Sequence, residues 1–349
     1  MNLSNYTLAL LDDIERRIDT DVEEDYYSQW RDFWCGKCET PVFRPRRVKT
    51  EIPGIKIEPV HINDALSNLE LMLDSELVLL NKKLVGGTDP LAIRANYGTG
   101  IMTSLFGAEI FEMPREMNTL PTTRSFNDSD KMRAVLEKGI PDLCGGFGKN
   151  VFAFAELCSE IFESYPKIKK YVKIYHPDTQ GPLDIAELLW GSEMFYEMYD
   201  DPDFVHSVLR LITDTYKKFL DKWYTLVPKE KELSVHWSIM HKGNIMIRLD
   251  SAMNLSVDFY NEFSKPYDSE LLDYFGGGCM HFCGRGDHFV ESMCEIDNMY
   301  GFNMSQPHLN NMEKIIGAAV RSGIKILNLK DSEKYAAEYG VKPGYLHLS

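Results

Sequence analysis

The amino-acid sequence predicts an α/β fold, a (β/α)8 TIM barrel preceded by an N-terminal helical extension. Three observations lead there. From about residue 90, short β-like segments alternate with amphipathic helices, and about eight strands with intervening helices over ~250 residues is the arithmetic of that barrel. No Pro/Ser-rich or low-complexity linker divides the 349 residues into separate bodies. A candidate metal-ligand pair, His281 and Cys283, falls where a strand gives way to a loop, the place where barrels of this class keep their chemistry. A doubly wound sheet is the runner-up.

Residues 1–60 read as the extension, mixed helix and loop, rich in charge and in aromatics (Tyr26, Tyr27, Trp30, Phe33, Trp34), either packed on the larger body or serving as a dimer arm. Residues 61–349 form the barrel. Strands are expected at 92–97, 101–105, 151–154, 172–175, 233–237, 245–249, 279–283, 300–304 and 324–329. The clearest helix follows Asp203 and carries Phe204, Val208, Leu211, Ile212, Phe219 and Trp223 at three-to-four spacing. Another begins near Asn310 or Asn311 and stops at Gly323, a residue suited to the left-handed C-cap. Asp287 is placed as the N-cap of a helix carrying Phe289, Val290, Met293 and Ile296. A last helix at 332–339 ends at Gly340.

A net charge of −15 argues against nucleic acid or an anionic membrane as the main partner, and 44% hydrophobic residues suffice for a large core. No apolar run approaches the ~20 residues of a membrane span, and the start lacks the features of a signal peptide. The expectation is a soluble, cytoplasmic protein acting on a small molecule. Seven cysteines, scattered and odd in number, do not read as a disulfide framework. Cys35-Gly36-Lys37-Cys38 is a lone CxxC with no second half at zinc-ribbon spacing, and reads as an ordinary loop.

In an extended segment, residues i and i+2 point to one side, so His281 and Cys283 can grip one borderline metal ion, with zinc the leading choice. The same spacing also fits a buried histidine beside a small apolar cysteine. The strand Ile245-Met246-Ile247-Arg248-Leu249-Asp250 alternates. Arg248 and Asp250 share one face, which puts a guanidinium and a carboxylate at the same rim. Asn96, Tyr97 and Gln306 fall at expected strand ends and are candidate substrate-binding residues.

The stretch from Leu249-Asp250-Ser251 through Leu255-Ser256 and Asp258-Phe259-Tyr260 to Pro266-Tyr267 resembles the uroporphyrinogen decarboxylase superfamily, as does Gly181-Pro182-Leu183 opening a helix. His281-Phe282-Cys283-Gly284 is similar to the HxCG motif of the zinc-dependent branch that moves methyl groups between corrinoid proteins and thiols. Together these motifs cover about residues 90 to 330. The resemblance implies a (β/α)8 barrel with its site at the C-terminal rim. True decarboxylases of the superfamily carry Arg-Gln-Ala-Gly-Arg near the first strand and Asn-Leu-Gly-His-Gly near the last. This chain instead has Arg94-Ala95-Asn96-Tyr97-Gly98 and Asn328-Leu329-Lys330-Asp331-Ser332 there, so the methyltransferase branch is the closer one.

That branch implies zinc, a corrinoid on a partner protein, and a third metal ligand from a Cys near the last strand. No Cys follows Cys294 in this chain, which leaves His347 as the substitute, with Cys294, His236 and Cys279 as weaker alternatives. Arg248 would pair with an anionic group on the substrate, and Asp250 would orient it or accept a proton. The expectation is therefore a zinc-dependent methyltransferase, possible as a homodimer. A metal-free decarboxylase of a carboxylated substrate and a non-catalytic corrinoid binder are the alternatives.

Overall fold

A computed structural model describes residues 3–349, and the fold is mixed α/β. Among the described residues the strands, in chain order, are β1 (Val42–Phe43), β2 (Ala92–Ile93), β3 (Glu109–Phe111), β4 (Thr122–Arg124), β5 (Lys173–Ile174), β6 (Ser234–His236), β7 (Ile239–His241), β8 (Ile245–Arg248), β9 (Gly278–Phe282), β10 (Met299–Met304), β11 (Lys325–Leu327) and β12 (Leu346–His347). Six of them form one sheet in the order β1-β12-β11-β10-β9-β8, with every neighbouring pair parallel. A second parallel pair joins β2 to β5, while β3-β4 and β6-β7 are antiparallel hairpins. Parallel strands need long crossovers, and helices supply most of them here.

Period-two alternation sorts the strand residues onto two faces. Ile93, Ile245, Ile247, Met280, Phe282, Phe302, Ile326 and Leu346 join the large core packed under the helices. Their neighbours Ala92, Met246, Cys279, Leu327 and Phe43 join a smaller core on the other face. That core is filled by Trp30 and Phe33 of the helix Thr20–Trp34 and by Val235, Ile239 and Met240 of the β6-β7 hairpin. The described N-terminal segment is thus tied into the body, because β1 is an edge strand of the main sheet and pairs with the C-terminal β12.

Several expected elements differ. Residues 101–105 and 151–154 are helical, lying in Ile101–Leu105 and Gly148–Phe162. Short apolar runs cannot by themselves separate a buried strand from a buried helix. Asp287 caps no helix. Its carboxylate accepts from Arg285 Nε at 2.8 Å and from the Asn311 amide at 3.0 Å, so it ties two loops together, and the helix beyond is the single turn Val290–Met293. The helices Pro202–Leu226, Met312–Arg321 and Ser332–Tyr339 occur as the spacing predicts, the second capped by the Asn311 side chain. No helix among the described residues is long and apolar enough to cross a membrane.

Candidate metal centre

The register of two neighbouring strands builds the site. Arg248 at the end of β8 lies opposite His281 on β9, and the Leu249 amide donates to the His281 carbonyl at 2.8 Å. Two residues further along each chain come Asp250 and Cys283. The Cys283 amide donates to Asp250 Oδ1 at 2.6 Å, and the same oxygen lies 3.7 Å from His281 Nε2. His281 Nε2 is 3.4 Å from Cys283 Sγ. One ligand atom from each of Asp250, His281 and Cys283 therefore falls within 4.8 Å of the other two. One nitrogen, one sulfur and one oxygen donor is a set that zinc accepts.

The groups behind the triad hold it in place. His281 Nδ1 lies 2.7 Å from Asn303 Oδ1, and Asn303 sits directly across from it on β10. Cys283 Sγ is 3.3 Å from the Ser305 hydroxyl. The backbone that carries Asp250 is held from below by Asp184, whose two oxygens accept from the amides of Asp250 and Ser251 at 2.9 and 2.8 Å. After Cys283 the chain turns sharply at Gly284, in the left-handed region at φ 74°, where a Cβ would come within 2.5 Å of Met253 Sδ. The Gly284 amide donates to Gln306 Oε1 at 2.6 Å. Burial pushes the His281 imidazole down, so it is a neutral base, and burial pushes the Cys283 thiol up.

Trp237, at the tip of the β6-β7 hairpin, sets its ring edge-on to His281 at 5.0 Å between centroids. It holds a left-handed backbone at φ 52°, an uncommon conformation for so bulky a residue. The Arg248 guanidinium stacks 4.6 Å above the same ring and pairs with Asp178 at 2.7 Å. Asp178 also meets Arg94 at 3.4 Å.

Of the residues singled out in the sequence, His281, Cys283 and Asp250 come together, with Arg248 beside them and Gln306 supporting the loop. The others do not join. Tyr97 is fully buried in the large core against Phe147, so it cannot line a site. Asn96 gives its Nδ2 to Glu76 at 3.2 Å and lines a separate cavity. His347 is not a ligand. It lies on β12, three strands from β9 in the sheet order, fully buried against Trp30 and Phe43, with Nδ1 accepting from the Asn328 amide at 3.0 Å. Cys279 is packed in the smaller core and Cys294 is buried behind the single-turn helix.

The sequence alone did not mark Asp250 as the third member of the candidate metal triad, nor Asn303, Ser305 and Asp184 as its supports. The pairing of β8 with β9 is what makes Asp250 level with Cys283, and no local pattern announces a register between strands. Asn303 and Ser305 do leave a signal, since they alternate with apolar Phe302 and Met304.

No protein-family model matches the chain, and a search of curated proteins finds no match.

Proposed function

We propose that the chain closes as a (β/α)8 barrel, that Asp250, His281 and Cys283 hold a zinc ion at its rim, and that the protein moves a methyl group between a corrinoid carried by a partner protein and a small thiol. The observation that carries this reading is the convergence of those three ligand atoms within 4.8 Å. The HxCG resemblance points to the same chemistry.

The barrel is supported by the strand arithmetic, since the six-stranded sheet and the β2-β5 pair together give eight parallel strands. At one junction the Met246 amide donates to His176 Nε2 at 3.1 Å, bringing β8 beside the end of β5. At the other, Arg47 beyond β1 bonds the carbonyls of Gly87 and Asp89 just before β2, at 2.8 and 2.7 Å.

When bound, zinc supplies a Lewis acid that lowers the proton affinity of an incoming thiol. The protein's own groups prepare for that. Asn303 fixes the His281 ring, and burial keeps that ring uncharged. Asp250 brings a negative charge that offsets the cation. Arg248 and Trp237 form one wall, a cationic and aromatic surface suited to the small substrate's polar end. The test is a methyl-transfer assay with methylcobalamin and a small thiol, followed by the change in corrinoid absorbance. Zinc-loaded wild type should turn over, while chelator-treated protein and Cys283→Ser should not. Equal rates in all three would remove the reading.

A further inference from the structure

A second cavity, of about 320 Å³, lies between the helix Leu69–Gly86, the residues following β2 and the turn of the β6-β7 hairpin. That is at the small end of ligand pockets, enough for a compound of modest size. Tyr175 and Trp237 give it aromatic walls.

Its charged groups differ in how fully they are used. The buried carboxylate of Glu76 accepts from the Arg94 amide at 3.1 Å and from Asn96 Nδ2 at 3.2 Å. The carboxylate of Asp89 takes the hydroxyls of Thr88 at 3.3 Å and Ser238 at 3.1 Å. Both acids thus have protein donors on each oxygen. The cations do not have matching acceptors. Among the described residues, the Lys83 ammonium meets two carbonyls, of Ala92 at 3.1 Å and Trp237 at 3.4 Å, and pairs with no carboxylate. Among the described residues, the Arg94 side chain meets one oxygen of Asp178 at 3.4 Å, and Arg248 holds that same oxygen more closely at 2.7 Å. A guanidinium has five donors, so most of those on Arg94 are unspent. Three cationic side chains, Lys82, Lys83 and Arg94, line the cavity against two carboxylates, Glu76 and Asp89, and the unspent donors are on the cations, so an incoming anion finds hydrogen-bond partners there.

We propose that this cavity binds a small organic carboxylate, its charged end between Lys83 and Arg94 and its body against Tyr175 and Trp237. A planar carboxylate suits the guanidinium fork, and the aromatic walls suit an apolar or flat body. The site needs no metal, and so stands apart from the zinc reading. Trp237 is shared by both, which puts the bound acid one side chain away from His281.

Calorimetric titration of chelator-treated protein tests this, with benzoate, acetate, inorganic phosphate and benzylamine as probes. Benzoate should give saturable heat, acetate should bind more weakly, and benzylamine should not bind. Lys83→Met and Arg94→Gln should each weaken benzoate about tenfold, the size expected for one charge-assisted hydrogen bond. If Arg94→Gln melts early, Lys83→Met and the contrast of benzoate with benzylamine on wild type carry the test. Phosphate binding tighter than benzoate would overturn the carboxylate assignment. Absence of saturable heat with every anion, or equal benzoate affinity in Lys83→Met and wild type, would overturn the site.

Discussion

Asn303 decides which nitrogen of His281 is free. Asn303 spends its Nδ2 on the Leu327 carbonyl at 2.7 Å, so the atom that faces the ring at 2.7 Å is Oδ1, an acceptor. His281 must therefore donate from Nδ1, and the lone pair sits on Nε2, the atom 3.4 Å from Cys283 Sγ. A ligating histidine that gives its other N–H to a fixed acceptor is the arrangement that orients the ring and raises its basicity.

Replacing Asn303 with Leu removes that acceptor and leaves the ring free to change tautomer. Zinc affinity should fall by about 10- to 100-fold with Cys283 still in place. Competition against a chromophoric chelator measures it, and an unchanged affinity would show that Asn303 has no part in the centre.

Asp184 carries the backbone of Asp250. In Asp184→Ala the amides of Asp250 and Ser251 lose their acceptors, and a buried donor left unpaired costs roughly 1–3 kcal/mol. The denaturant midpoint should drop accordingly and zinc affinity with it. A variant as stable as wild type would mean that these amides find other partners.

Asp268 makes stability depend on pH. It is buried, and burial pushes its carboxyl up to about 8, with the Asp184 charge adding to the rise and the Ser264 hydroxyl opposing it. In the unfolded chain the group titrates near 3.9. Its folded value is the higher one, so the stability it contributes is complete below about 3.9 and is lost as pH rises through about 8. Asp268→Asn stays neutral throughout. Relative to wild type it should gain stability steadily across that window, at up to about 1.4 kcal/mol per pH unit. Thermal midpoints of the two proteins at several pH values check this, and a constant difference would contradict it.

His347 has the opposite sign. Burial pushes it down to about 3, against about 6.5 when unfolded, so its contribution is present above about 6.5 and fades as the solution is acidified. His347→Phe keeps the contacts with Trp30 and Phe43 and loses the bond from the Asn328 amide. The variant should cost about 1 kcal/mol at neutral pH. It should decline less steeply than wild type in acid and bind as much zinc. A loss of zinc would restore His347 to the centre.

How much of this was legible in the sequence varies with the range of the interaction that decides it. His281 and Cys283 are two residues apart at the end of β9, and local alternation alone puts them on one face. The helix Met312–Arg321 carries its own cap and stop signals, so its limits could be read directly. The runs at 101–105 and 151–154 carry no such signals, and tertiary packing made them helices. Arg47 is buried against Glu23 at 2.5 Å. That pairing spans 24 residues and leaves no local trace. The third member of the candidate triad was hidden for the same reason: Asp250 meets Cys283 only through the pairing of β8 with β9.

The most direct test of the metal centre is elemental analysis after zinc loading and desalting, on wild type, Cys283→Ser and Asp250→Ala. The account predicts close to one zinc per chain in wild type, with little retained by either variant while their folds are intact by circular dichroism. Equal zinc in wild type and Cys283→Ser, or none in wild type, would contradict it.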